Sequence, residues 1–266
     1  MNIQQKVFVV TGAGGGIGSE LVYALLQKGA TVAAVDLRQE ALDALKSTDE
    51  GTLSRHALDI SDSKAVAALP SSIIKTHGHV DAIINCAGII QPFVKVNDLG
   101  FEAIEKVMNI NFYGTLRMTK AFLPHLLKQP EAYVVNFSSM GGFLPVPGQS
   151  VYGASKAAVK LLTEALYAEL LGTNVHVSVV FPGATATDIT KNSGVKAPSA
   201  PSNDGKTPSF PMLSAKEAAA IVVRGIEHNK PQIFTGKDSK LMNRLYRLNP
   251  VYATKFIATQ MKSLLK

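Results

Sequence analysis

Tyr152 and Lys156 are the two residues of this 266-residue sequence whose types and spacing most clearly suggest chemistry. They lie in a stretch of helical period, residues 151–171, and a separation of four residues puts both side chains on one face of a helix. A lysine ammonium beside a phenol favours the phenolate and lowers its pKa, which suits tyrosine to proton transfer. Two such residues can also be plain surface neighbours, so the other motifs decide between these interpretations.

A glycine-rich turn follows the first apolar run. Residues 11–18 are Thr-Gly-Ala-Gly-Gly-Gly-Ile-Gly and lead directly into an amphipathic helical pattern. Ile17 stands where the spaced G-x-G-x-x-G fingerprint has its third glycine, so Gly12, Gly16 and Gly18 are the glycines predicted to matter. Such a turn lets the backbone approach a pyrophosphate, and the N–H groups of the next helix stabilise its charge. The order strand, turn, helix favours a phosphate site over a merely flexible loop.

The second apolar run ends in an acidic residue. Asp36 comes eighteen positions after Gly18, close to the roughly 20 residues at which an acid hydrogen-bonds the adenosine ribose of a bound dinucleotide. A carboxylate there accepts from a 2′-hydroxyl and repels a 2′-phosphate, which favours NAD over NADP. Arg38 keeps NADP open as the alternative cofactor, and an acid that is merely solvated at a strand end is the structural alternative.

Strand-length apolar runs alternate with segments of helical period along most of the chain. Strands are predicted at 6–10, 31–35, 52–58, 80–84, 132–137, 175–180 and 232–235. Helices are predicted at 17–28, 39–45, 63–76, 100–127, 151–171 and 215–228. This alternation indicates an α/β fold: a single doubly wound Rossmann-type domain, residues 1–236, with a seven-stranded parallel sheet and helices on both faces.

Residues 188–213 interrupt the alternation of strands and helices, because they contain four prolines and have no clear hydrophobic period. Long connections of this kind in compact domains are often lids over a site, so a substrate loop is predicted here. A tolerated insertion is the alternative.

The C-terminal segment, residues 237–266, is strongly basic, with seven lysines and arginines against the single acid Asp238. It is predicted to form two short amphipathic helices, with Asn249 as the cap and Pro250 as the first residue of the second. The apolar positions of the two helices are Leu241, Leu245 and Leu248, followed by Val251, Phe256, Ile257, Met261 and Leu264. Such an extension could pack over the rim of an active site or a subunit interface, or lie on an anionic membrane surface as a peripheral contact.

Bulk composition limits the function classes. Apolar residues make up 46% of the chain and charged residues 18%, as in a folded metabolic enzyme. Because the net charge of +7 comes mostly from the C-terminal segment, no nucleic-acid partner is expected. Cys86 is the only cysteine, no cleavable signal or membrane-length apolar run is evident, and a cytoplasmic location is expected. The six histidines show no metal-ligand spacing, so no metal site is predicted.

The ordered set of motifs resembles the short-chain dehydrogenase/reductase family over about residues 6–235. Ser139 lies thirteen residues before Tyr152, and the turn at 11–18 has the family's glycine spacing. Further matches are Asn-Cys-Ala-Gly at 85–88, Asn-Ile-Asn-Phe-Tyr-Gly at 109–114 and Pro-Gly-Ala-Thr-Ala-Thr at 182–187. The departure is Cys86, where the family usually has a second asparagine; a buried free cysteine behaves as a small hydrophobe.

The resemblance implies a catalytic tetrad of Asn111, Ser139, Tyr152 and Lys156. Tyr152 would exchange a proton with the substrate oxygen, and Ser139 would hold that oxygen by a hydrogen bond. Lys156 would bind the nicotinamide ribose and lower the pKa of Tyr152, while Asn111 would position a water in a proton relay. Cofactor contacts are implied at Gly12, Gly16, Ile17, Gly18, Asp36, Asp59, Asn85, Gly88, Tyr152, Lys156, Pro182, Gly183 and Thr187. Within that set, Asp59 would lie near the adenine and Thr187 at the nicotinamide carboxamide.

The segments expected to border the nicotinamide are 89–94, 143–146 and the beginning of the loop from Ala184, which carry no charge except Asp188. An apolar or neutral secondary alcohol or ketone is therefore expected as substrate, with Gln149 as an added polar contact, although these side chains could also be core. An NADP-linked carbonyl reductase and a non-catalytic NAD-binding sensor are the alternatives, and the intact tetrad argues against the sensor. The family also suggests a homodimer or homotetramer formed through the helices at 100–127 and 151–171.

Overall fold

A computed structural model describes residues 1–196 and 212–261 of the chain. Seven parallel strands form one sheet: β1 Val7–Thr11, β2 Thr31–Asp36, β3 Leu53–Ala57, β4 Ala82–Asn85, β5 Ala132–Phe137, β6 Val175–Pro182 and β9 Gln232–Thr235. Their order across the sheet is β3-β2-β1-β4-β5-β6-β9. The order reverses between β1 and β4, which is the switch point where doubly wound sheets bind ligands. The predicted fold class is confirmed.

Helices cover both faces of this sheet. They are α1 Gly16–Gln27, α2 Gln39–Asp43, α3 Ser63–His77, α4 Phe101–Met108, α5 Thr115–Leu126, α6 Ser150–Glu169, α7 Ile189–Asn192, α8 Ala215–Glu227, α9 Lys237–Leu248 and α10 Pro250–Gln260. Within β1, Phe8 packs in the layer that contains α1 and α8, and Val9 packs in the layer that contains α3, α5 and α6. Because successive side chains of a strand point to opposite faces, a sheet covered on both sides needs continuous apolar strands.

The predicted helix at 100–127 contains an irregularity that the apolar pattern does not reveal. α4 passes through a π-helical turn, Asn109–Gly114, before the chain continues as α5. The wider i→i+5 turn inserts an extra residue into the helix and changes the direction of the side chains within it. Asn111, a predicted catalytic residue, lies in this turn and is fully buried.

The described ends of the predicted loop at 188–213 have regular structure. α7 begins directly after Asp188, and a short strand β8, Leu213–Ser214, pairs in parallel with β7, Thr185–Ala186. Ser214 then caps α8 in a reciprocal capping box with Glu217. Residues 197–211, which hold all four prolines and on which the prediction of a lid mostly rests, lie outside the described residues.

The C-terminal segment forms two helices, α9 and α10, with Asn249 as the cap and Pro250 as the first residue of α10. The side of α9 that packs differs from the predicted one: Leu241 and Leu248 are 50% and 85% exposed, and Met242 is buried instead. Met242 packs with Ala253, Ile257 and Leu144, so both helices cover the loop that follows β5. None of the helices in the described ranges is both long and apolar enough to cross a membrane.

Candidate active site

The carboxyl ends of β1 to β6 open onto a single cleft of about 440 Å³. Among the residues predicted from the sequence, those that line it are Gly12, Gly16, Ile17, Gly18, Asp36, Asp59, Gly88, Ser139, Tyr152, Lys156, Pro182, Gly183 and Thr187. The structure therefore brings the glycine turn and the tyrosine–lysine pair together, although they are separated by more than a hundred residues of sequence. Asn85 and Asn111 are not part of this lining.

The glycine turn is held by close backbone approaches that exclude side chains. Gly12 has a φ of +66°, and a Cβ on it would lie 2.8 Å from the Cα of Ala87. A Cβ on Gly18 would fall on the carbonyl oxygen of Gly12. Thr11, at the end of β1, accepts hydrogen bonds at Oγ1 from the N–H groups of Cys86 and Ala87, both at 3.1 Å. The turn is thus pinned to the end of β4, with the amino end of α1 open to the cleft.

Asp36 closes the opposite side of this turn. Its Oδ2 accepts a hydrogen bond from the N–H of Gly14 at 2.9 Å, and its Oδ1 accepts from the N–H of Arg38 at 3.1 Å. The Arg38 guanidinium also lies 3.7 Å from Oδ1, and both side chains line the cleft. A carboxylate and a half-exposed guanidinium therefore stand together at the end of β2, where a bound adenosine ribose is expected.

Tight packing between the loop after β5 and α6 sets the positions of Ser139, Tyr152 and Lys156. The Ser138 hydroxyl donates to the carbonyl oxygen of Lys156 at 2.7 Å. A Cβ on Gly142 would lie 2.9 Å from that same oxygen, so only glycine allows the loop to approach α6 this closely. The Lys156 ammonium reaches back to donate to the carbonyl oxygen of Phe137 at 2.9 Å. The loop and the helix are therefore fixed relative to one another.

The electrostatics of this group differ from the expectation drawn from the sequence. Burial raises the pKa of Tyr152, and the hydrogen bond with Ser139 opposes that rise only in part. Lys156 is itself buried, which lowers its pKa to about 8. The expected lowering of the Tyr152 pKa by Lys156 is not found, because removal of both groups from water disfavours the charged form of each.

Asn111 acts on the main chain that borders the cleft. Its Oδ1 accepts from the N–H of Ile89 at 2.9 Å, and its Nδ2 donates to the Ile89 carbonyl oxygen at 2.9 Å and to the Ser155 hydroxyl at 3.0 Å. The π-helical turn aims the amide at Ile89 while α6 supplies Ser155. Asn111 thus ties three elements together directly behind Tyr152.

Asn85 was predicted to lie along the cofactor, but its side chain points into the protein. Its Nδ2 donates to the Asn136 Oδ1 at 2.8 Å and to the Thr119 hydroxyl at 3.1 Å. Asn136 in turn donates to the Thr163 hydroxyl at 3.1 Å. This buried chain joins α5, β4, β5 and α6 beneath the cleft, so Asn85 supports the site from below and Gly88 alone of the two borders the cleft.

Gln91 is a functional residue that the sequence pattern does not reveal. Its Oε1 accepts from the N–H groups of Val151 and Tyr152 at 2.7 and 2.9 Å, and its Nε2 donates to the Gly148 carbonyl oxygen at 3.0 Å. A side chain sixty residues away in sequence therefore caps α6, and the residues around position 91 give no pattern that predicts this contact. Gln149, expected to touch substrate, is 4% exposed and donates to the Gln91 carbonyl oxygen at 2.8 Å instead.

Two further segments shape the far rim of the cleft. Thr187 packs on the glycine turn, where a Cβ on Gly16 would lie 2.8 Å from its Cγ2. Asp238 of α9 accepts from the N–H of Ala184 at 2.8 Å and thereby holds the chain after β6. Phe143 and Leu144, expected to border the nicotinamide, instead pack with Phe181 and with α9 and α10.

The chain is similar in sequence to known short-chain dehydrogenases. The family model for short chain dehydrogenases matches residues 6–197. SadH of Mycobacterium tuberculosis is 32% identical over 258 residues, which cover 93% of this chain and 92% of SadH.

Solved structures show the same fold. A short-chain dehydrogenase/reductase from Burkholderia phymatum, in complex with NAD, superposes with a TM-score of 0.84 at 24% identity, covering 95% of this chain and 96% of that one. A short-chain dehydrogenase from Burkholderia cenocepacia, in complex with NADP, gives a TM-score of 0.81 at 26% identity, covering 97% and 99%. Together with the family match, these findings show that the chain belongs to the short-chain dehydrogenase/reductase family of nicotinamide-dependent oxidoreductases.

Proposed function

We propose that the protein transfers hydride between NAD and an apolar or neutral secondary alcohol or ketone, with Tyr152 as the general acid and base. One observation carries this proposal: the Tyr152 phenol, the Ser139 hydroxyl and the Lys156 ammonium line the same cleft as the glycine turn. The residues fit a dinucleotide, because the close approaches at Gly12 and Gly18 leave bare backbone and a helix amino end facing the cleft.

The protein side of the reaction is proton transfer and orientation. A bound nicotinamide supplies or accepts the hydride. The Ser139 hydroxyl holds the substrate oxygen by a hydrogen bond, and Tyr152 donates a proton to that oxygen in reduction or removes one in oxidation. Lys156 would bind the hydroxyls of the nicotinamide ribose. When its side chain is protonated, it also places a positive charge near the phenol of Tyr152. Asn111 keeps the main chain at Ile89 fixed and anchors the water of a proton relay behind Tyr152.

Tyr152→Phe tests the chemical step. With NADH formation followed across a panel of secondary alcohols that includes hydroxysteroids and 3-hydroxyacyl compounds, we expect kcat to fall about 100- to 10,000-fold. Binding of NADH, followed by its fluorescence, should stay within a few-fold of the wild-type value because the phenol hydroxyl is not part of the glycine turn. Turnover of the variant at the wild-type rate on every substrate that the wild type oxidises would refute the role of Tyr152.

The preference for NAD rests on Asp36. A carboxylate at the end of β2 accepts from a 2′-hydroxyl and repels a 2′-phosphate, so Asp36→Ala should lower the NAD to NADP ratio of kcat/KM at least about tenfold. Asp59→Ala is the matched control, because Asp59 lines the same end of the cleft and is expected to affect both cofactors equally. An unchanged ratio in Asp36→Ala would refute the proposed preference.

Arg38 supports NADP as the second candidate cofactor. Its guanidinium lies at the same end of the cleft, and its pairing with Asp36 at 3.7 Å is loose enough to be replaced by a 2′-phosphate. A wild-type kcat/KM that is higher with NADP, and that falls in Arg38→Ala, would favour this reading and an NADP-linked carbonyl reductase.

The apolar substrate class follows from where the charges of the cleft lie. Asp36, Arg38 and Asp59 come after β2 and β3, and Lys156 is the one other charged side chain of the described lining. The lining also includes Ile89 and Ile90, which directly precede Gln91. Without clustered cations beside Tyr152, a phosphorylated or acidic substrate would lack a partner. In a paired assay, kcat/KM should be higher for an uncharged secondary alcohol than for its phosphorylated analogue. The reverse order would contradict the proposed class.

We also propose a homodimer or homotetramer formed through α4, α5 and α6. Phe101 is 78% exposed and Leu161 67% exposed on these helices, which is typical of a covered apolar surface. Light scattering coupled to size exclusion should give a multiple of the 28.3 kDa chain mass, and Phe101→Asp/Leu161→Asp should lower it. A monomeric wild type would refute this assembly.

A further inference from the structure

The solvent-facing side of α9 has an unusual composition. Every third or fourth residue along it is exposed, and these residues are Lys237, Lys240, Leu241, Arg244, Arg247 and Leu248. Positions at this spacing share one face of a helix, so four cations and two leucines lie in a single stripe. The opposite side of α9, with Asp238, Ser239 and Met242, is buried against the domain.

In the described part of the chain, the cations of this stripe have no internal counter-charges. Among the residues that the structure describes, neither the four stripe cations nor Lys255 of α10 takes part in an ion pair. Asp238, the only acid of the two helices, is 8% exposed and is occupied by the N–H of Ala184. The stripe therefore presents uncompensated positive charge to solvent, which attracts an anionic surface.

Exposed apolar side chains also follow this stripe along the chain, at the corner between α9 and α10. Leu248 is 85% exposed, Val251 64% and Tyr252 55%, and Asn249 with Pro250 makes the turn between the helices. We call the six stripe residues together with Val251 and Tyr252 the basic corner. Large apolar groups exposed among unpaired cations are the combination found where a helix lies on anionic lipid.

We propose that the basic corner docks the protein on an anionic lipid bilayer. The cations would approach the headgroups while Leu248, Val251 and Tyr252 enter the boundary with the acyl chains. A purely electrostatic partner would use the cations and leave these three side chains in water, which is why lipid fits better than an acidic protein. The buried side of the same helices packs on Leu144, so docking would hold the loop that follows Ser139 close to the lipid. This inference is independent of the proposed reaction.

Co-sedimentation of the full-length protein with vesicles tests it. We expect binding to vesicles of phosphatidylcholine with about a third phosphatidylglycerol, little binding to phosphatidylcholine alone, and release by salt. Each basic residue near such a surface strengthens binding about fivefold, so Lys240→Glu/Arg244→Glu/Arg247→Glu should weaken it at least about 100-fold. Leu248→Ser/Val251→Ser should weaken it about tenfold without any change of charge.

The matched control is Lys46→Glu/Lys128→Glu/Lys216→Glu, which makes the same change in net charge at exposed lysines outside the basic corner. It should bind the anionic vesicles within a few-fold of wild type, and circular dichroism melts should show that all variants fold. Docking through the basic corner would be overturned by wild-type protein that stays in the supernatant, or by equal losses in the control and the α9 variant. Undiminished binding of the serine variant would mean that the corner is a general polyanion site, which also overturns lipid docking. None of these readouts depends on activity.

Discussion

Gln91 offers the most direct test of how α6 is positioned. Replacement by methionine keeps the length and volume of the side chain but removes all its hydrogen bonds. Gln91 is fully buried, so water cannot easily replace the lost partners. The perturbation therefore acts on the amino end of the helix that carries Tyr152, without replacing a residue of the cleft lining.

The expected cost follows from the bonds themselves. Gln91→Met leaves the N–H groups of Val151 and Tyr152 and the carbonyl oxygen of Gly148 without their partner. At about 1 kcal/mol for each hydrogen bond, the free energy of unfolding should fall by about 3 kcal/mol. For a domain of this size that corresponds to a Tm lower by roughly 6–10 °C. A displaced Tyr152 should also lower kcat about tenfold at 25 °C.

Gln149→Met is the matched control, because Gln149 is nearly as buried but makes one side-chain hydrogen bond, to the Gln91 carbonyl oxygen. Its Oε1 has no hydrogen-bond partner among the residues that the structure describes, so Gln149→Met also removes a buried polar atom that lacks a partner there. The loss should stay below about 1 kcal/mol by urea unfolding and calorimetry. Equal destabilisation by the two variants would refute the assignment of Gln91 as the cap of α6.

Three other predictions follow from the same cleft. Gly18→Ala should raise the Kd for NADH at least about 100-fold, because its Cβ would fall on the Gly12 carbonyl oxygen and distort the glycine turn. In the control Gly15→Ala the Cβ would lie 3.3 Å from that oxygen, so the Kd should change only a few-fold. Equal increases of the Kd in the two variants, measured by NADH fluorescence, would contradict this prediction. Burial lowers the pKa of Lys156 from 10.5 to about 8. Between these two pH values the folded state binds fewer protons than the unfolded state, so the free energy of unfolding increases as pH rises through them. Urea unfolding at about pH 7.5 and about pH 9.5 should show this increase in the free energy of unfolding for the wild type and not for Lys156→Met. An identical pH dependence in the wild type and the variant would count against the lowered pKa. Removal from water raises the pKa of the Cys86 thiol, a half-buried group that lines the cleft, to about 12. At pH 8 it should therefore react with a disulfide reagent far more slowly than free cysteine and regain full reactivity in urea, and a native rate within about tenfold of free cysteine would argue against the raised thiol pKa.

Periodicity was enough to predict the sheet. The strands are apolar because both faces are covered, and the helices between them repeat with a period of 3.6 residues, so local pattern alone indicates the doubly wound order. The glycine turn was equally easy to predict, because Gly18 is required by its approach to the Gly12 carbonyl oxygen within the turn and Gly12 by its φ of +66°.

Sequence patterns did less well wherever a side chain's partner is distant. Asn85 was expected to touch cofactor, but Asn136 and Thr119 capture its amide, and nothing near position 85 predicts that. In the same way, the apolar period of α9 suggested Leu241 and Leu248 as packing residues, whereas Met242 is the residue that packs against the loop after β5. Both outcomes depend on which elements meet in three dimensions.

The sequence by itself determined the α/β class, the glycine turn and the tyrosine–lysine pair, because each is encoded in spacing within one or two adjacent elements. Only the tertiary structure decided how those groups are held and charged: Gln91 caps α6 from sixty residues away, Asn111 reaches Ile89 through a π-helical turn, and burial raises the pKa of Tyr152. The physical reason is that hydrogen-bond partners and exclusion of water depend on the packing of distant segments, which no local pattern records.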